Sequence, residues 1–388
     1  MTVDQSENSL SGKRLLFVST GFSKGGAETQ LFRLAVELSS REWTVGLYSL
    51  NGTRMDGADL ESHGIEFFKG DVSSNGILGA VRSIGSLSRL IADWRPDVVV
   101  SFMYHANIVS RIAASFQGVP AVASIRNESF GGPFREFLEH STSRLGAATV
   151  VNSELALESL VSRGVLQPET SLSIPNAASP ALLNLVPEVS KRSHEGLHWL
   201  AVGRLSPQKD YPNLIAAFSR LSSLAPASRL SIAGEGKERH RIENEISRRG
   251  VSESVTLLGH RSDIPDLLQQ ADALVLSSSW EGMPNVVMEA LAAGKPVVAT
   301  DVGGVRELVL NGINGFISPP RSPERLFSAM KELTRLAPSM RHRLGIAGRI
   351  HIEGRYSLPR IASSWEDLLL SAVLQPKAPE LSRIGRLG

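Results

Sequence analysis

Two acids, Glu281 and Glu289, are separated by seven residues in the stretch "EGMPNVVME". Such a pair can act as a general acid and base, hold a metal ion, or accept hydrogen bonds from sugar hydroxyls. Pro284 suits an early helical position because its missing N–H would be unpaired there, and Gly294 suits the far end of that helix. Glu289 then lies roughly 7 Å along the helix from Pro284, while Glu281 precedes the helix. The two acids therefore reach different parts of one extended ligand, unless both are ordinary solvated acids.

The same stretch also predicts an anion site. The first turn of the helix, around Asn285 to Val287, leaves backbone N–H groups that favour a phosphate. Arg204 and Lys209 follow an earlier apolar run in "HWLAVGRLSPQKD", which ends at Gly203. One arginine and one lysine beside a glycine turn suit a diphosphate, although a solvated basic loop has the same composition. Asp210 is the predicted cap of the next helix.

Glycine-rich turns follow other apolar runs. Gly234 lies in "SIAGEGKE", and Gly303 and Gly304 lie in "TDVGGVRE". Near the start of the chain, Gly25 and Gly26 separate the first apolar run from a helical pattern. Glycine lets the backbone approach a ligand closely, but each of these turns can equally be an ordinary tight connection. None matches G-x-G-x-x-G, so the dinucleotide fingerprint is absent.

His105 follows another apolar run, in "VVVSFMYHAN". It can serve as a base or as a donor to a sugar hydroxyl, or it can be structural. Further on, "FREFLEHSTSRL" combines aromatic, leucine and basic residues. That helix can rest on a membrane or a lipid-linked acceptor, or pack on its own domain.

The elements that must position these residues are strands and helices in alternation. Short β-branched runs such as "RLLFVST", "DVVVSFM" and "AVASIRN" are each followed by a helical pattern, and the series restarts at "HWLAVGR". Continuous apolar strands between helices indicate parallel sheets covered on both faces. We therefore predict an α/β fold of two doubly wound, Rossmann-like domains facing across a cleft, with ligands beyond the carboxyl ends of the strands.

The predicted domain boundaries follow this pattern. An N-terminal domain spans residues 12–185, and a C-terminal domain spans 196–358. The stretch 174–196 is rich in prolines and polar residues, which predicts a hinge linker. A last helix at 359–375 is expected to return to the N-terminal domain, and 376–388 is a mobile tail.

Composition narrows the function classes. The chain has 388 residues, a net charge of +2 and no cysteine, which excludes disulfides and thiolate catalysis and gives no global bias toward nucleic acid. No apolar run approaches the ~20 residues that span a bilayer, and the N-terminus is unlike a secretory signal. These features fit a cytoplasmic protein, which can also bind the inner face of the cell membrane as a peripheral protein. No Asp-x-Asp follows a strand, and no His, Asp and Glu residues have metal-ligand spacing.

Several of these motifs together resemble a known family. "GGAE", "VGRLSPQKD", "AGEG", "EGMPNVVMEALAAGKPVVATDVGGVRELV" and "NGINGFISPP" are similar to the retaining glycosyltransferases of family 4, which have the GT-B fold. The resemblance covers nearly the whole chain and is strongest over residues 202–319. It favours hydroxyl recognition as the role of the two acids.

The resemblance implies that the N-terminal domain lies on the acceptor side and that the C-terminal domain binds the nucleotide sugar, and it implies a role for each site residue. Glu281 would accept hydrogen bonds from the donor sugar, and Glu289 would hold the nucleotide ribose. Arg204 and Lys209 would neutralise the diphosphate, so no metal or other cofactor is expected. The remaining donor-binding positions implied are backbone or glycine positions: Gly25, Gly26, Gly203, Gly234, Gly282, Met283, Pro284, Asn285, Val286 and Val287.

One position departs from the family pattern. Many members carry a histidine directly at the end of the fourth strand, where this chain has Phe102, so His105 becomes the candidate for the contact near the reacting face of the sugar. The implied reaction is metal-independent transfer, with retention, of a sugar from a UDP- or GDP-linked donor to a glycan or polyprenyl-linked acceptor during polysaccharide assembly. A nucleotide-sugar epimerase and a non-catalytic nucleotide-sugar-binding subunit are the alternatives.

Overall fold

The computed structural model describes residues 12–22, 25–53, 60–70, 76–127, 130–187, 196–375 and 381. Its contacts divide the chain into two compact units. Unit 2 is Ala178–Ser357, and unit 1 comprises the chain up to Ala177 and from Leu358 onward. Unit 1 thus ends before the predicted residue 185, because the segment after Ala177 packs on unit 2. The Ala178 N–H donates to the Tyr356 carbonyl over 2.7 Å, and Leu182 is buried in the core of unit 2.

Unit 1 is built on parallel strands buried on both faces. Leu15, Leu16, Phe17 and Val18 in the first strand are all fully buried, which explains the continuous apolar run. The strands are β1 (Arg14–Ser19), β2 (Thr44–Ser49), β3 (Glu66–Lys69), β4 (Val98–Phe102), β5 (Ala121–Ile125), β6 (Ala148–Val151) and β7 (Ser171–Ser173). Within the described residues they form one parallel sheet in the order β3-β2-β1-β4-β5-β6-β7.

Helices connect these strands as the alternating pattern predicts. They are α1 (Gly26–Ser39), α2 (Ile77–Trp94), α3 (Tyr104–Gln117), α4 (Pro133–Ser143) and α5 (Glu154–Ser162). A short 3₁₀ turn, Pro168–Thr170, precedes β7.

Unit 2 repeats this architecture. Its strands are β8 (His198–Val202), β9 (Arg229–Ala233), β10 (Val255–Gly259), β11 (Ala273–Leu276), β12 (Val297–Thr300) and β13 (Gly315–Ser318). They form a parallel sheet in the order β10-β9-β8-β11-β12-β13. Its helices are α6 (Pro180–Leu183), α7 (Tyr211–Leu224), α8 (Arg239–Arg248), α9 (Ile264–Gln270), α10 (Asn285–Ala292), α11 (Val305–Leu308), α12 (Pro323–Arg335) and α13 (Pro338–Tyr356).

The last helix, α14 (Leu358–Leu374), belongs to unit 1. Trp365 stacks on Phe102 at the end of β4, with ring centroids 5.9 Å apart. Glu366 accepts a hydrogen bond from the Trp43 indole over 3.0 Å and pairs with Arg41. No helix in the described part of the chain is long and apolar enough to cross a membrane.

The predicted linker contains the short helix α6. Residues 188–195 of that linker lie outside the described residues, and so does the predicted mobile tail apart from residue 381.

The order of strands in each sheet marks where ligands bind. In both units the chain moves outward from one central strand, β1 or β8, and then starts again on its other side with β4 or β11. The carboxyl ends of these two adjacent strands form the topological switch point, where doubly wound folds bind ligands. The predicted two-domain Rossmann-like α/β architecture is confirmed.

Candidate functional site

The switch point of unit 2 brings together loops that are distant in sequence. Strand β8 ends at Val202 and leads to Gly203 and Arg204, while β11 ends at Leu276 and leads to the loop that carries Glu281. The two strands are paired, with Leu274 beside Leu200. The predicted basic loop and the first predicted acid therefore meet at one edge of one sheet.

Glu281 and Lys209 are in direct contact. The Lys209 Nζ donates to Glu281 Oε1 over 2.7 Å, and the two side chains are only 16% and 9% exposed. Ser278 Oγ donates to the same oxygen over 2.6 Å, and Gln208 Nε2 donates to Glu281 Oε2 over 3.3 Å. The carboxylate thus has a fixed position set by three donors from two loops.

Further bonds tie the two loops together. The Ser279 N–H donates to the Gln208 carbonyl over 2.8 Å, and Gln208 Nε2 also donates to the Trp280 carbonyl over 3.0 Å. Ser277 Oγ donates to the carbonyl of Lys209 over 2.8 Å. Sequence reasoning missed Gln208 and Ser278; their only signal was adjacency to Lys209 and Glu281.

Asp210 does not cap helix α7. It stands at the N-cap position with left-handed backbone (φ 45°), and its side chain makes no capping hydrogen bond. One of its oxygens instead accepts from Ser279 Oγ over 3.3 Å. The predicted cap is wrong because the 3₁₀ turn Pro207–Lys209 forces a left-handed residue before the helix and directs the carboxylate toward the neighbouring loop.

Arg204 is exposed and has no hydrogen-bond or ion-pair partner among the residues that the structure describes. The Leu205 N–H next to it donates to the Glu235 carbonyl over 2.8 Å, which fixes the backbone. Arg204 is therefore a free cation on a fixed backbone, close in sequence to the paired Lys209.

Two of the predicted glycines are required by close packing. A Cβ on Gly234 would lie 2.0 Å from the Gly203 carbonyl oxygen, and a Cβ on Gly203 would lie 2.7 Å from Lys209 Cε. Tyr211 donates from its hydroxyl to the Gly203 carbonyl over 2.9 Å. Burial and the Glu281 carboxylate raise the pKa of Tyr211, which keeps the phenol protonated as a donor.

Gly303 supports the Glu281 loop from the next strand along the sheet. Its backbone is left-handed (φ 49°), and a Cβ there would lie 2.3 Å from the Glu281 carbonyl oxygen. The Gly304 N–H donates to the Gly282 carbonyl over 2.7 Å. Only glycine permits this approach, so the "VGG" turn holds Glu281 and Gly282 in place.

Helix α10 begins at Asn285, with Pro284 at the N-cap position. The Val287 N–H donates to the Pro284 carbonyl over 3.1 Å, so the prediction of a free N–H at Val287 is wrong: the first turn closes on Pro284. Met283, Val286 and Val287 bury their side chains in the core of unit 2, which leaves only their backbone near a ligand. Glu289 lies half-buried on this helix.

The switch point of unit 1 holds the other predicted residues. Gly25 and Gly26 begin helix α1 after β1, and the Glu28 carboxylate folds back so that a Cβ on Gly25 would lie 2.3 Å from Glu28 Oε2. His105 is exposed in the first turn of helix α3 after β4. The structure thus brings Gly25, Gly26 and His105 to one edge of one sheet.

The chain turns sharply before His105. Met103, the N-cap residue of α3, has a positive φ of 77°, which is rare for a residue with a side chain. This conformation sets the direction in which α3 begins. Desolvation and the nearby Arg135 lower the pKa of His105, which favours the neutral ring. Phe102, the last residue of β4, is buried against Trp365, and the Arg126 guanidinium carbon lies 4.0 Å from the centroid of its ring.

Among the described residues, no three His, Asp or Glu side chains converge as metal ligands do. Lys209 contacts Glu281 directly, and Arg204 lies on the same loop as Lys209. These cations can bind a diphosphate, and the carboxylate can accept a hydrogen bond from a hydroxyl group.

Two family models match the chain. The model described as "Glycosyl transferase 4-like domain" matches residues 25–177, and "Glycosyl transferases group 1" matches residues 187–351. The two matches together cover most of the chain and coincide with the two Rossmann-like units.

Similar proteins are named as glycosyltransferases. The glycogen synthase of Mycobacterium tuberculosis is 29% identical over 304 residues, which cover 74% of this chain and 72% of that protein. The Escherichia coli protein named UDP-Gal:alpha-D-GlcNAc-diphosphoundecaprenol alpha-1,3-galactosyltransferase is 27% identical over 276 residues, covering 66% of this chain and 70% of that protein.

Solved structures share the fold. The Anabaena protein HepE, in complex with UDP, has a TM-score of 0.78 at 22% identity and covers 92% of this chain and 100% of that chain. The lipopolysaccharide outer core galactosyltransferase WaaB has a TM-score of 0.70 at 18% identity and covers 94% of this chain and 99% of that chain. The chain belongs to the family 4-type glycosyltransferases with the GT-B fold, and it is a glycosyltransferase of the hexosyltransferase type.

Proposed function

We propose that the protein transfers a sugar, with retention of configuration, from a UDP- or GDP-linked donor to a glycan or lipid-linked acceptor. The observation that carries the proposal is the switch point of unit 2. There the exposed Arg204 and the paired Lys209 and Glu281 combine two cations for a diphosphate with one fixed carboxylate for a sugar. Both charge types at one switch point suit a nucleotide-diphosphate sugar.

Each site residue has a part in donor binding. Arg204 and Lys209 bind the diphosphate, the Glu281 carboxylate accepts from a sugar hydroxyl, and Glu289 holds the ribose. The backbone from Gly282 to Val286 lies against the sugar and phosphate, supported by Gly303. Gly25, Gly26 and His105 belong to unit 1, on the side of the acceptor and the reacting face of the sugar.

The reaction is a front-face displacement without a bound metal. The bond from the anomeric carbon to the phosphate oxygen breaks, and Arg204 and Lys209 stabilise the negative charge that grows on the phosphate. The departing phosphate oxygen takes the proton of the acceptor hydroxyl, whose oxygen bonds to the anomeric carbon on the same face. An inverted product linkage, read from the anomeric coupling constant by NMR, would contradict this mechanism.

Replacing Glu289 by alanine is expected to weaken nucleotide binding, because a half-buried carboxylate can accept from both ribose hydroxyls and alanine cannot. A loss of about tenfold in affinity corresponds to one charged hydrogen bond. Calorimetric titration of the wild type and the variant with UDP, GDP and ADP measures this effect and identifies the base of the donor.

The matched control is Glu332→Ala, which removes an exposed acid from helix α12 of the same unit. We expect this variant to bind like the wild type. Binding of no nucleoside diphosphate by the wild type would contradict the proposed function, whereas equal affinities of the wild type and Glu289→Ala would contradict only the ribose role.

We also propose that the acceptor is lipid-linked and that helix α4 rests on the cytoplasmic face of a membrane. Phe134 and Phe137 lie one turn apart on α4 and are 71% and 63% exposed. Helix α4 follows β5 and so begins at the same edge of the sheet as His105, which brings the lipid of such an acceptor near α4. Arg135 and Arg144, both exposed, suit anionic headgroups.

Flotation with vesicles containing phosphatidylglycerol tests this contact. We expect the wild type to float with the vesicles and the double variant Phe134→Ser/Phe137→Ser to lose most of this binding, because two inserted rings are removed. Phe116→Ser is the control. Phe116 is as exposed as Phe134 (71%), but it lies near the C-terminal end of helix α3, whereas His105 lies at the N-terminal end. Equal flotation of the wild type and the double variant would exclude α4 as the contact.

A further inference from the structure

The Glu281 carboxylate is already engaged by protein donors. Lys209 and Ser278 both donate to Oε1, and Gln208 donates to Oε2. A carboxylate has about four acceptor sites, so roughly one remains for a ligand. Ser278 is fully buried, which leaves its hydroxyl little freedom to turn elsewhere.

This arrangement offsets the positive charge of Lys209. The ion pair is 2.7 Å long, and both side chains are more than four-fifths buried, so water screens it less than a surface pair. Arg204 nearby has no such partner among the described residues. Of these two cations, a diphosphate at this edge of the sheet therefore meets one, Arg204, that no carboxylate pairs with among the described residues, and one, Lys209, whose charge Glu281 already offsets.

We propose that Glu281 acts as an electrostatic counterweight: by pairing with Lys209, it lowers the affinity of the enzyme for the nucleoside diphosphate product. This inference rests on the proposed function, because it takes the diphosphate to bind at Arg204 and Lys209. Before transfer, the hydrogen bond from the sugar hydroxyl to Glu281 compensates for the lowered affinity for the diphosphate. After transfer, this hydrogen bond is lost together with the sugar. The lowered affinity for the diphosphate is then no longer compensated, and the diphosphate dissociates faster.

Ser278 and Gln208 are the positioning residues of this device. Their donors oppose rotation of the carboxylate away from Lys209, and the bond from the Ser279 N–H to the Gln208 carbonyl keeps the two loops in register. Contacts between the two loops therefore hold the pair in place.

Replacing Glu281 by glutamine tests the counterweight. The amide has the same shape and can still accept from Lys209, but it carries no charge. We expect UDP or GDP, titrated without sugar, to bind about threefold to tenfold more tightly to Glu281→Gln than to the wild type. Turnover should fall in the same variant because the charged contact to the sugar is lost.

A double-mutant cycle checks that Lys209 mediates the effect. Lys209→Met should lower the affinity for UDP or GDP more in the Glu281→Gln background than in the wild type, because the lysine charge is then no longer offset. Glu332→Gln removes the same unit of charge from an exposed site of unit 2 and is the control for net charge. We expect it to leave the affinity unchanged. Ser278→Ala retains both charges and only loosens the hold on the carboxylate, so any tightening should be smaller than in Glu281→Gln.

The outcomes separate the two proposals. If the wild type binds UDP or GDP but Glu281→Gln binds it equally or more weakly, with an unchanged melting temperature, the counterweight is wrong and the proposed function stands. If Glu332→Gln tightens binding as much as Glu281→Gln, net charge explains the effect and the inference also fails. If the wild type binds neither nucleotide, the proposed function itself is wrong.

Discussion

Replacing Arg204 by alanine is expected to lower turnover at least about a hundredfold, the loss seen when a single charge-stabilising donor is removed from an active site. Arg204 is exposed and has no protein partner among the described residues, so its removal leaves no buried group unsatisfied. The loss should therefore appear in the transfer rate and leave the melting temperature within about a degree of the wild type. Initial rates with the donor found by titration measure it.

Arg220→Ala is the matched control for that variant. Arg220 is an exposed arginine of unit 2 that pairs with Glu324, far along helix α7 from Gly203. We expect near-normal turnover, because an exposed pair contributes little. Arg204→Lys should recover part of the rate, since the charge returns without the directional donors of a guanidinium. Near-normal turnover of Arg204→Ala would contradict its role at the leaving group.

Replacing Glu139 by alanine is expected to lower the free energy of unfolding by about 3–5 kcal/mol. Arg111 of helix α3 and Glu139 of helix α4 are both fully buried, with Nη1 and Oε1 2.6 Å apart. The variant would leave the Arg111 charge buried without its counter-ion; among the described residues, the hydroxyls of Thr142 and Thr149 remain as its partners. Urea unfolding, followed by fluorescence, measures the loss.

Glu136→Ala is the control on the same helix. Glu136 pairs with Arg163 near the surface, so its loss should cost less than about 1 kcal/mol. The double variant Arg111→Met/Glu139→Leu should recover most of the stability, because it removes both charges and keeps the volume. A Glu139→Ala protein as stable as Glu136→Ala would show that Arg111 does not depend on Glu139.

The fold was predictable because local patterns determine it. Continuous apolar strands followed by amphipathic helices lead to parallel sheets, and the residues after each strand then lie at the carboxyl edge. The sequence therefore placed Arg204 and Glu281 at the same edge, and it placed His105 after β4. The adjacency of β8 and β11, in contrast, follows from the strand order in the structure and not from the sequence.

Details that depend on side-chain conformation or on close packing were not predictable. Asp210 was expected to cap a helix, but a left-handed backbone directs it elsewhere. Val287 was expected to have a free N–H, but the first turn of α10 closes on Pro284. The boundary between the units falls after Ala177 because a backbone hydrogen bond ties Ala178 to Tyr356. Local propensity does not encode contacts of this kind.

The sequence by itself determined the α/β class, the alternation of elements, the family and the loops that carry charge, because each depends on residue type and short-range spacing. Only the tertiary structure decided that Lys209 pairs with Glu281, that Ser278 and Gln208 hold that pair, and that Trp365 covers Phe102. These contacts join side chains from separate segments, and Lys209 and Glu281 are 72 positions apart. Their formation depends on how the loops and helices pack, which no short stretch of sequence specifies.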